Sequence, residues 1–311
     1  MRILVSQESD DQVGVDLIET EVPDAEVVPY DPNAGELTSF QQDAEVLIPP
    51  YRSSHRPIPL LQQLPRLRMV QMLSAGADEW ASDVPPSVTL ASARGAHAGP
   101  VSEWVLSAIL ALYRQWPALT RFQDARTWAH RRVQFDTLDG RDVLILGAGS
   151  IGSATARKLD AFGANTTLVG RRPRRDVHGA DELPSLLPDH DIVVITAPLT
   201  EQTRGLVDSK FLESMPNGAT LVNAGRGPIV DTDALVAELQ DQRLRAALDV
   251  TDPEPLPEQH PLWHCPGVII SPHSARTVPG TNKLCYAVAA QQIAALARDE
   301  EPSNAVVREN S

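Results

Sequence analysis

Short apolar runs separated by polar, helix-compatible stretches recur along this chain, and their spacing predicts alternating strands and helices. Residues 2–5, 26–29 and 45–48 read as strands, 60–67 as a helix-like stretch, and 69–72 and 88–91 as further strands. This βα alternation predicts a small parallel-sheet domain. From Val101 an apolar-rich helical run extends through Phe122, with Glu103 suited to its N-terminus and Pro117 kinking or restarting it. Trp104, Leu106, Ile109, Leu110, Tyr113 and Trp116 give it more apolar surface than one face buries, which predicts domain contacts and a subunit interface.

Residues 142–175 are patterned differently. Val143 to Leu146 lack period-2 alternation, so the strand is expected to be buried on both faces. It runs into Gly147-Ala148-Gly149-Ser150-Ile151-Gly152, an amphipathic helix with Ala154, Ala156, Leu159 and Phe162, and a second strand at 166–169. In that context G-x-G-x-x-G has a mechanism. Gly147 makes the tight turn, Gly149 admits a pyrophosphate, Gly152 lets helix pack on strand, and the helix N-terminus supplies N–H donors. An NAD site normally has an acidic residue at the end of the second strand, to accept from the ribose 2′-OH. Here Gly170 is followed by Arg171, Arg172, Pro173, Arg174 and Arg175, so nothing repels a 2′-phosphate and guanidinium groups can hold it. The expected cofactor is NADP(H), with NAD(H) as a second choice.

More βα units follow. Strands are expected at 192–196, 219–223, 245–250 and 268–270, helices at 208–214 and 232–241, and a last helix over 282–298. Ligands of open parallel sheets bind beyond the carboxyl ends of strands. Arg226, Glu254 and His273 all fall just past such ends, which groups them into one candidate site.

The length of 311 residues suits two domains. No signal-like segment and no run of about 18 apolar residues is present, so no membrane association is expected. Cys265 and Cys285 are too few for a disulfide framework and lack metal-ligand spacing, so a soluble, reduced, cytoplasmic protein without a metal is expected. The formal net charge is −14, and Lys158, Lys210 and Lys283 are the only lysines. That balance argues against nucleic acid and anionic membranes. Few lysines and many acids also predict a high-salt cytoplasm, where screening relieves self-repulsion.

The ordered motifs Gly147 to Gly152, Asn223-Ala224-Gly225-Arg226-Gly227-Pro228-Ile229-Val230-Asp231, Leu248-Asp249-Val250 with Glu254-Pro255-Leu256-Pro257, and Ser271-Pro272-His273 resemble the D-isomer-specific 2-hydroxyacid dehydrogenase family. Ser74-Ala75-Gly76-Ala77-Asp78 and Val101-Ser102-Glu103-Trp104 extend the resemblance over nearly the whole chain. Within the family the chain is most similar to glyoxylate/hydroxypyruvate reductases and NADPH-preferring 2-ketoacid reductases.

The resemblance implies an α/β fold of two Rossmann-like, doubly wound parallel-sheet domains with the active-site cleft between them. The expected substrate domain comprises 1–98 plus 281–311, and the expected NADP-binding domain 99–280. It implies reduction of 2-oxo acids to D-2-hydroxy acids. Arg226 would bind the substrate carboxylate and polarise the ketone, and His273 would be general acid and base. A free histidine titrates near ~6.5, so Glu254 would favour its protonated form and fix its tautomer.

Asp249, Ala197, Pro198, Thr203 and Ala224 match cofactor contacts, alongside Gly147, Gly149, Ser150, Ile151, Gly152, Arg171, Arg172, Arg174, Arg226 and His273. The N–H groups of Ala75 and Gly76 match a substrate-carboxylate loop, Arg52 and Ser53 would shape the pocket, and His97 replaces a smaller polar residue. The expected assembly is a homodimer through the helix starting near Val101. Two relatives in chemistry are disfavoured. Glu254 stands where formate-oxidising members carry Gln, and the chain lacks the length of many phosphoglycerate dehydrogenases. A rival of another class is an NADP(H)-sensing, corepressor-like interaction protein of the same fold.

Overall fold

The apolar runs become strands of two parallel sheets in the computed structural model, which describes residues 1–8, 11–51, 57–77 and 80–306. By its contacts the chain divides into two units, Met1–His97 with Val278–Ser311, and Ala98–Thr277.

The first unit contains β1 (Arg2–Ser6), α1 (Gln12–Glu21), β2 (Glu26–Tyr30), α2 (Ser39–Gln42), β3 (Val46–Ile48), β4 (Met69–Gln71) and β5 (Thr89–Ala91). Its five-stranded parallel sheet has the order β2-β1-β3-β4-β5. Successive residues alternate between two buried faces. Ile3, Val5, Val46, Ile48 and Met69 meet α1 and the closing helix Thr281–Ala297, while Leu4, Leu47, Val70 and Leu90 meet Leu60, Leu64 and Trp80. Where 60–67 suggests a helix, the chain makes a 3-10 turn, Ile58–Gln63. Pro65 withholds an N–H group that a longer helix needs and disfavours helical backbone at Leu64 before it.

The second unit contains α3 (Ala98–Tyr113), α4 (Trp116–Asp124), β6 (Asp142–Leu146), α5 (Ser150–Ala161), β7 (Asn165–Gly170), β8 (His178–Gly179), α6 (Leu183–Leu186), β9 (Ile192–Ile195), α7 (Ser209–Ser214), β10 (Thr220–Asn223), α8 (Thr232–Gln240), β11 (Arg245–Leu248) and β12 (Val268–Ile270). The seven-stranded sheet runs β12-β11-β10-β9-β6-β7-β8, all parallel. Strand order reverses between β6 and β9, the switch point at which such sheets bind ligands. Leu144 and Leu146 face the α7 and α8 side, and Val143 and Ile145 face α3 and α5, so the unalternating run is buried on both faces.

Helix α3 differs from its expected form. It starts at Ala98, which leaves Glu103 exposed in the second turn, 3.9 Å from Lys158. Gln115, with φ 54°, breaks the run, and Pro117 sits in the first turn of α4, where its missing N–H costs nothing. Val105, Ala108, Ile109 and Leu112 pack on the sheet, and Trp104, Leu106 and Leu110 remain half-exposed. At the amino ends of the strands Arg141 bridges Asp136 (2.5 Å) and Asp191 (3.0 Å). Arg245 lies 4.7 Å from the Tyr113 ring centre, and burial pushes the Tyr113 hydroxyl up to about 12. Among the described residues no helix is long and apolar enough to cross a membrane.

Gly14 of α1 faces the Tyr286 ring so closely that an added Cβ would overlap it. The ring is fully buried, and its hydroxyl donates to Asp11 at 2.9 Å, so it has little room to swing away. Gly14→Ala should therefore destabilise this unit by roughly 1–3 kcal/mol, although alanine favours a helix by about 0.8–1.0 kcal/mol. Urea unfolding checks it; an unchanged or higher midpoint would mean that the ring yields.

Candidate active site

The switch point is built around backbone contact. Gly147 ends β6 with φ 118°, and a Cβ there would lie 2.5 Å from the Ala197 nitrogen at the end of β9. A Cβ on Gly152 would overlap the Gly147 carbonyl oxygen, so α5 rests directly on the turn. Gly149, by contrast, has no atom within 4 Å of its would-be Cβ. It is the N-cap of α5 and offers no capping side chain, and the first intrahelical bond runs from the Ser153 N–H to its carbonyl. The N–H groups of Ser150, Ile151 and Gly152 therefore end a positive helix dipole over open space. These residues fit the pyrophosphate of a dinucleotide, which the open side of Gly149 would admit.

At the end of β7, Arg171, Arg172 and Arg174 are exposed. Arg174 reaches back and its Nη2 donates to the Ala148 carbonyl at 2.7 Å. Its Nη1 lies 3.4 Å from where a Cβ on Gly170 would be, so a guanidinium stands where an acidic side chain would otherwise project. The loop after β9 is self-braced. The Thr203 hydroxyl donates to the Pro198 carbonyl at 2.8 Å and accepts from the Thr200 N–H at 2.8 Å, and Ala197 is buried.

Arg226 is set by its neighbours. Asn223, 1% exposed, accepts the Gly225 N–H (3.0 Å) and donates to the Arg226 carbonyl (3.1 Å), closing the turn after β10. The Ala224 N–H continues the ladder to Ile195 at 3.0 Å, and Arg226 is half-buried with Nη1 donating to the Gly225 carbonyl at 2.8 Å. Gly227 presses against the Thr251 carbonyl with no space for a Cβ. That contact joins the Arg226 loop to the segment leading to Glu254, which Thr251 and Thr232 brace by donating to the Pro253 (2.9 Å) and Asp252 (2.8 Å) carbonyls.

His273 follows β12 and pairs with Glu254, Nδ1 to Oε1 at 2.7 Å, with the imidazole about one-third exposed. Its backbone is left-handed, φ 50°, uncommon for a residue with a side chain. Asp249 is only 4% exposed, and its carboxylate is turned into the His273 loop, accepting from Ser271, Ser274 and Ala275. Arg226, Glu254 and His273 thus sit on loops beyond the carboxyl ends of the adjacent strands β10, β11 and β12. Nδ1 of His273 is occupied by Glu254, which leaves Nε2 as the nitrogen for proton exchange.

In the first unit Ala75 is exposed and Gly76 half-exposed in the loop after β4, which the Ser74 hydroxyl tightens by donating to the Gly76 carbonyl at 2.5 Å. His97 is buried, its Nε2 3.2 Å from the Cys285 thiol and its ring stacked on Tyr51. Arg52 and Ser53 lie outside the described residues. Sequence reasoning did not single out Asn223 and Ser271, whose side chains brace the Arg226 and His273 loops. Their signal was present in the motifs around Arg226 and His273, but their partners could not be read from spacing.

Residues 106–275 match the family described as D-isomer specific 2-hydroxyacid dehydrogenase, NAD binding domain. The chain is 35% identical to a glyoxylate reductase of Aeropyrum pernix, over 80% of this chain and 79% of that protein. It is 34% identical to glyoxylate/hydroxypyruvate reductase B of Yersinia enterocolitica, over 78% of this chain and 77% of that one. Among solved structures it is similar to a D-isomer specific 2-hydroxyacid dehydrogenase from Xanthobacter autotrophicus Py2 in complex with NADPH and MES. The TM-score is 0.84 at 27% identity, covering 99% of this chain and 98% of that one.

Proposed function

This chain belongs to the D-isomer specific 2-hydroxyacid dehydrogenase family, and we propose that it reduces small 2-oxo acids of the glyoxylate and hydroxypyruvate type to D-2-hydroxy acids, with NADPH as the preferred cofactor. The observation that carries the reading is the 2.7 Å pair of His273 and Glu254 on a loop end neighbouring that of Arg226. The glyoxylate reductase relatives support the substrate class.

When bound, NADPH supplies the hydride. The chain supplies the rest. Arg226 receives the carboxylate of the 2-oxo acid in its planar fork and polarises the ketone oxygen. The N–H groups of Ala75 and Gly76 add donors for the same carboxylate. His273 gives the proton on Nε2 to the ketone oxygen and regains it from solvent, and in the oxidative direction the same nitrogen takes the proton from the hydroxyl. Glu254 holds Nδ1, which keeps the ring in one orientation and offsets the imidazolium charge.

Cofactor choice rests on Gly170 and the arginines after it. The arginine cluster with no carboxylate at the strand end suits a 2′-phosphate, and Arg174 is already held over the glycine turn by its bond to Ala148. A homodimer through α3 and the segment after it is part of the same reading. Its support is an aromatic surface there, with Trp116 57% exposed at the start of α4 and Trp128, 91% exposed, lining a groove of about 560 Å³ with Leu119, Phe122 and Phe135. The acidic, lysine-poor composition supports adaptation to high salt.

Turnover of glyoxylate, pyruvate, hydroxypyruvate and longer 2-oxo acids with NADPH tests the reading directly. His273→Ala should lower it by roughly 10²–10⁴-fold while NADPH binding persists. A wild-type protein that binds NADPH and turns over none of these acids would instead be an interaction protein.

Arg171→Ala with Arg172→Ala should weaken NADPH far more than NADH in paired titrations, and equal losses would remove these arginines from phosphate recognition. The unfolding midpoint should rise from low to molar salt, with light scattering giving twice the chain mass throughout. A flat or falling midpoint would dismiss the halophilic reading, and a single chain mass would dismiss the dimer.

A further inference from the structure

The loop that carries His273 converges on one residue. The Asp249 backbone carbonyl accepts the His273 N–H at 2.7 Å. Its Oδ1 accepts the Ser271 hydroxyl (2.6 Å), the Ser274 N–H (2.8 Å) and the Ala275 N–H (3.0 Å), and Oδ2 also receives the Ala275 N–H at 3.1 Å. Three successive N–H groups point at a single residue because His273, at φ 50°, reverses the local curvature of the chain. Such a left-handed step makes a concave nest of donors, and an anion fills it. Here the chain's own carboxylate takes the second and third of these N–H groups, and the Asp249 carbonyl takes the first.

We propose that Asp249 and Ser271 are positioning residues for proton transfer. The Asp249 carboxylate anchors the nest, the Ser271 hydroxyl fixes the start of the loop, and together they hold the His273 backbone where its ring meets Glu254. The resemblance to the family suggests a cofactor contact for Asp249, and the geometry adds a role on the loop side of the same carboxylate. At 4% exposure three loop donors converge on the Asp249 carboxylate, all of them on Oδ1, with the Ala275 N–H shared with Oδ2. Ser271 donates the shortest of these bonds and is followed by Pro272, which has no N–H to contribute and restricts the residue before it to extended backbone. The proposal rests on the assignment of proton transfer to His273.

The test uses four variants of the full chain: Ser271→Ala, Ser271→Thr, Asp249→Asn and His273→Ala. Steady-state reduction of glyoxylate at saturating NADPH gives kcat and KM. NADPH fluorescence titration without substrate gives the cofactor dissociation constant, and thermal melting reports folding. Ser271→Ala and Asp249→Asn should lower kcat roughly 10- to 100-fold, the range expected when an acid is displaced by a fraction of its reach. In Ser271→Ala the KM and the NADPH dissociation constant should stay near wild-type values, and Ser271→Thr should restore kcat.

A raised NADPH dissociation constant with wild-type kcat would make Asp249 a cofactor contact and overturn the proposal. Wild-type kcat in Ser271→Ala would overturn it as well, and this variant decides the matter if Asp249→Asn does not fold. His273→Ala separates the two layers of the argument. Full turnover in that variant overturns the proton-transfer assignment together with the clamp, whereas an inactive His273→Ala beside an unimpaired Ser271→Ala overturns the clamp alone.

Discussion

Backbone-to-backbone contact between successive strand-end loops is the constraint on which the second unit depends. The Gly147 turn after β6 presses on Ala197 after β9, where a Cβ would come within 2.5 Å of its nitrogen. Gly225 after β10 presses on the other side of the same residue, with a would-be Cβ 2.8 Å from the Ala197 carbonyl oxygen. Gly227 then presses on Thr251 after β11. Parallel strands lie about 4.7–4.9 Å apart, and loops that leave them together can stay that close only where side chains are missing. The glycines thus keep four adjacent loops in register, so that the dinucleotide cradle and the Arg226 and Glu254 loops share one edge of the sheet. The family's motifs are, physically, the places where side chains would push that edge apart.

Much of this was legible because it is local. Buried parallel strands show as short apolar runs, and most predicted strands lie within two residues of the observed ones. The glycine turn and the ordering of Arg226, Glu254 and His273 past strand ends need only strand positions and the rules of open sheets. What failed or stayed hidden depends on proline placement or on contacts distant in sequence. The 60–67 stretch has helix-like apolar residues, but Pro65 leaves only a 3-10 turn before it. The two-residue strand β8 is too short to carry a periodic signal. Asp249 meets Ser274 and Ala275 twenty-five and twenty-six residues away, and nothing in the spacing of acidic and small residues announces that meeting.

Net charge and local charge have opposite signs here. A chain of formal charge −14 is proposed to hold a polyanionic cofactor and an anionic substrate. The long-range field of the surface acids falls off over about 8–10 Å at physiological ionic strength, and over less at high salt. Within that range the N-terminus of α5, the arginines after β7 and the half-buried Arg226 dominate what a bound anion meets. These cations are almost all guanidinium groups. Of the three lysines, Lys158 is committed to structure, donating to the Ser102 hydroxyl at 2.7 Å. Arginine suits both demands, since it keeps its charge and matches phosphate and carboxylate with paired donors.

The left-handed histidine carries the same logic to a single residue. A side chain in a sparsely populated backbone region costs of order 1–3 kcal/mol, and glycine would relax it, but glycine has no imidazole to pair with Glu254. The conformation persists because the surroundings over-determine it. A hydrogen bond to a charged group contributes about 1.5–3 kcal/mol, and three donors of the loop reach the Asp249 carboxylate. Even one such bond is of the size of the strain, so the loop is held with a margin before the Glu254 contact is counted. The strain is therefore a cost of placing an imidazole at that turn, and a buried carboxylate offsets it from behind while the ring keeps its partly exposed position beside Glu254.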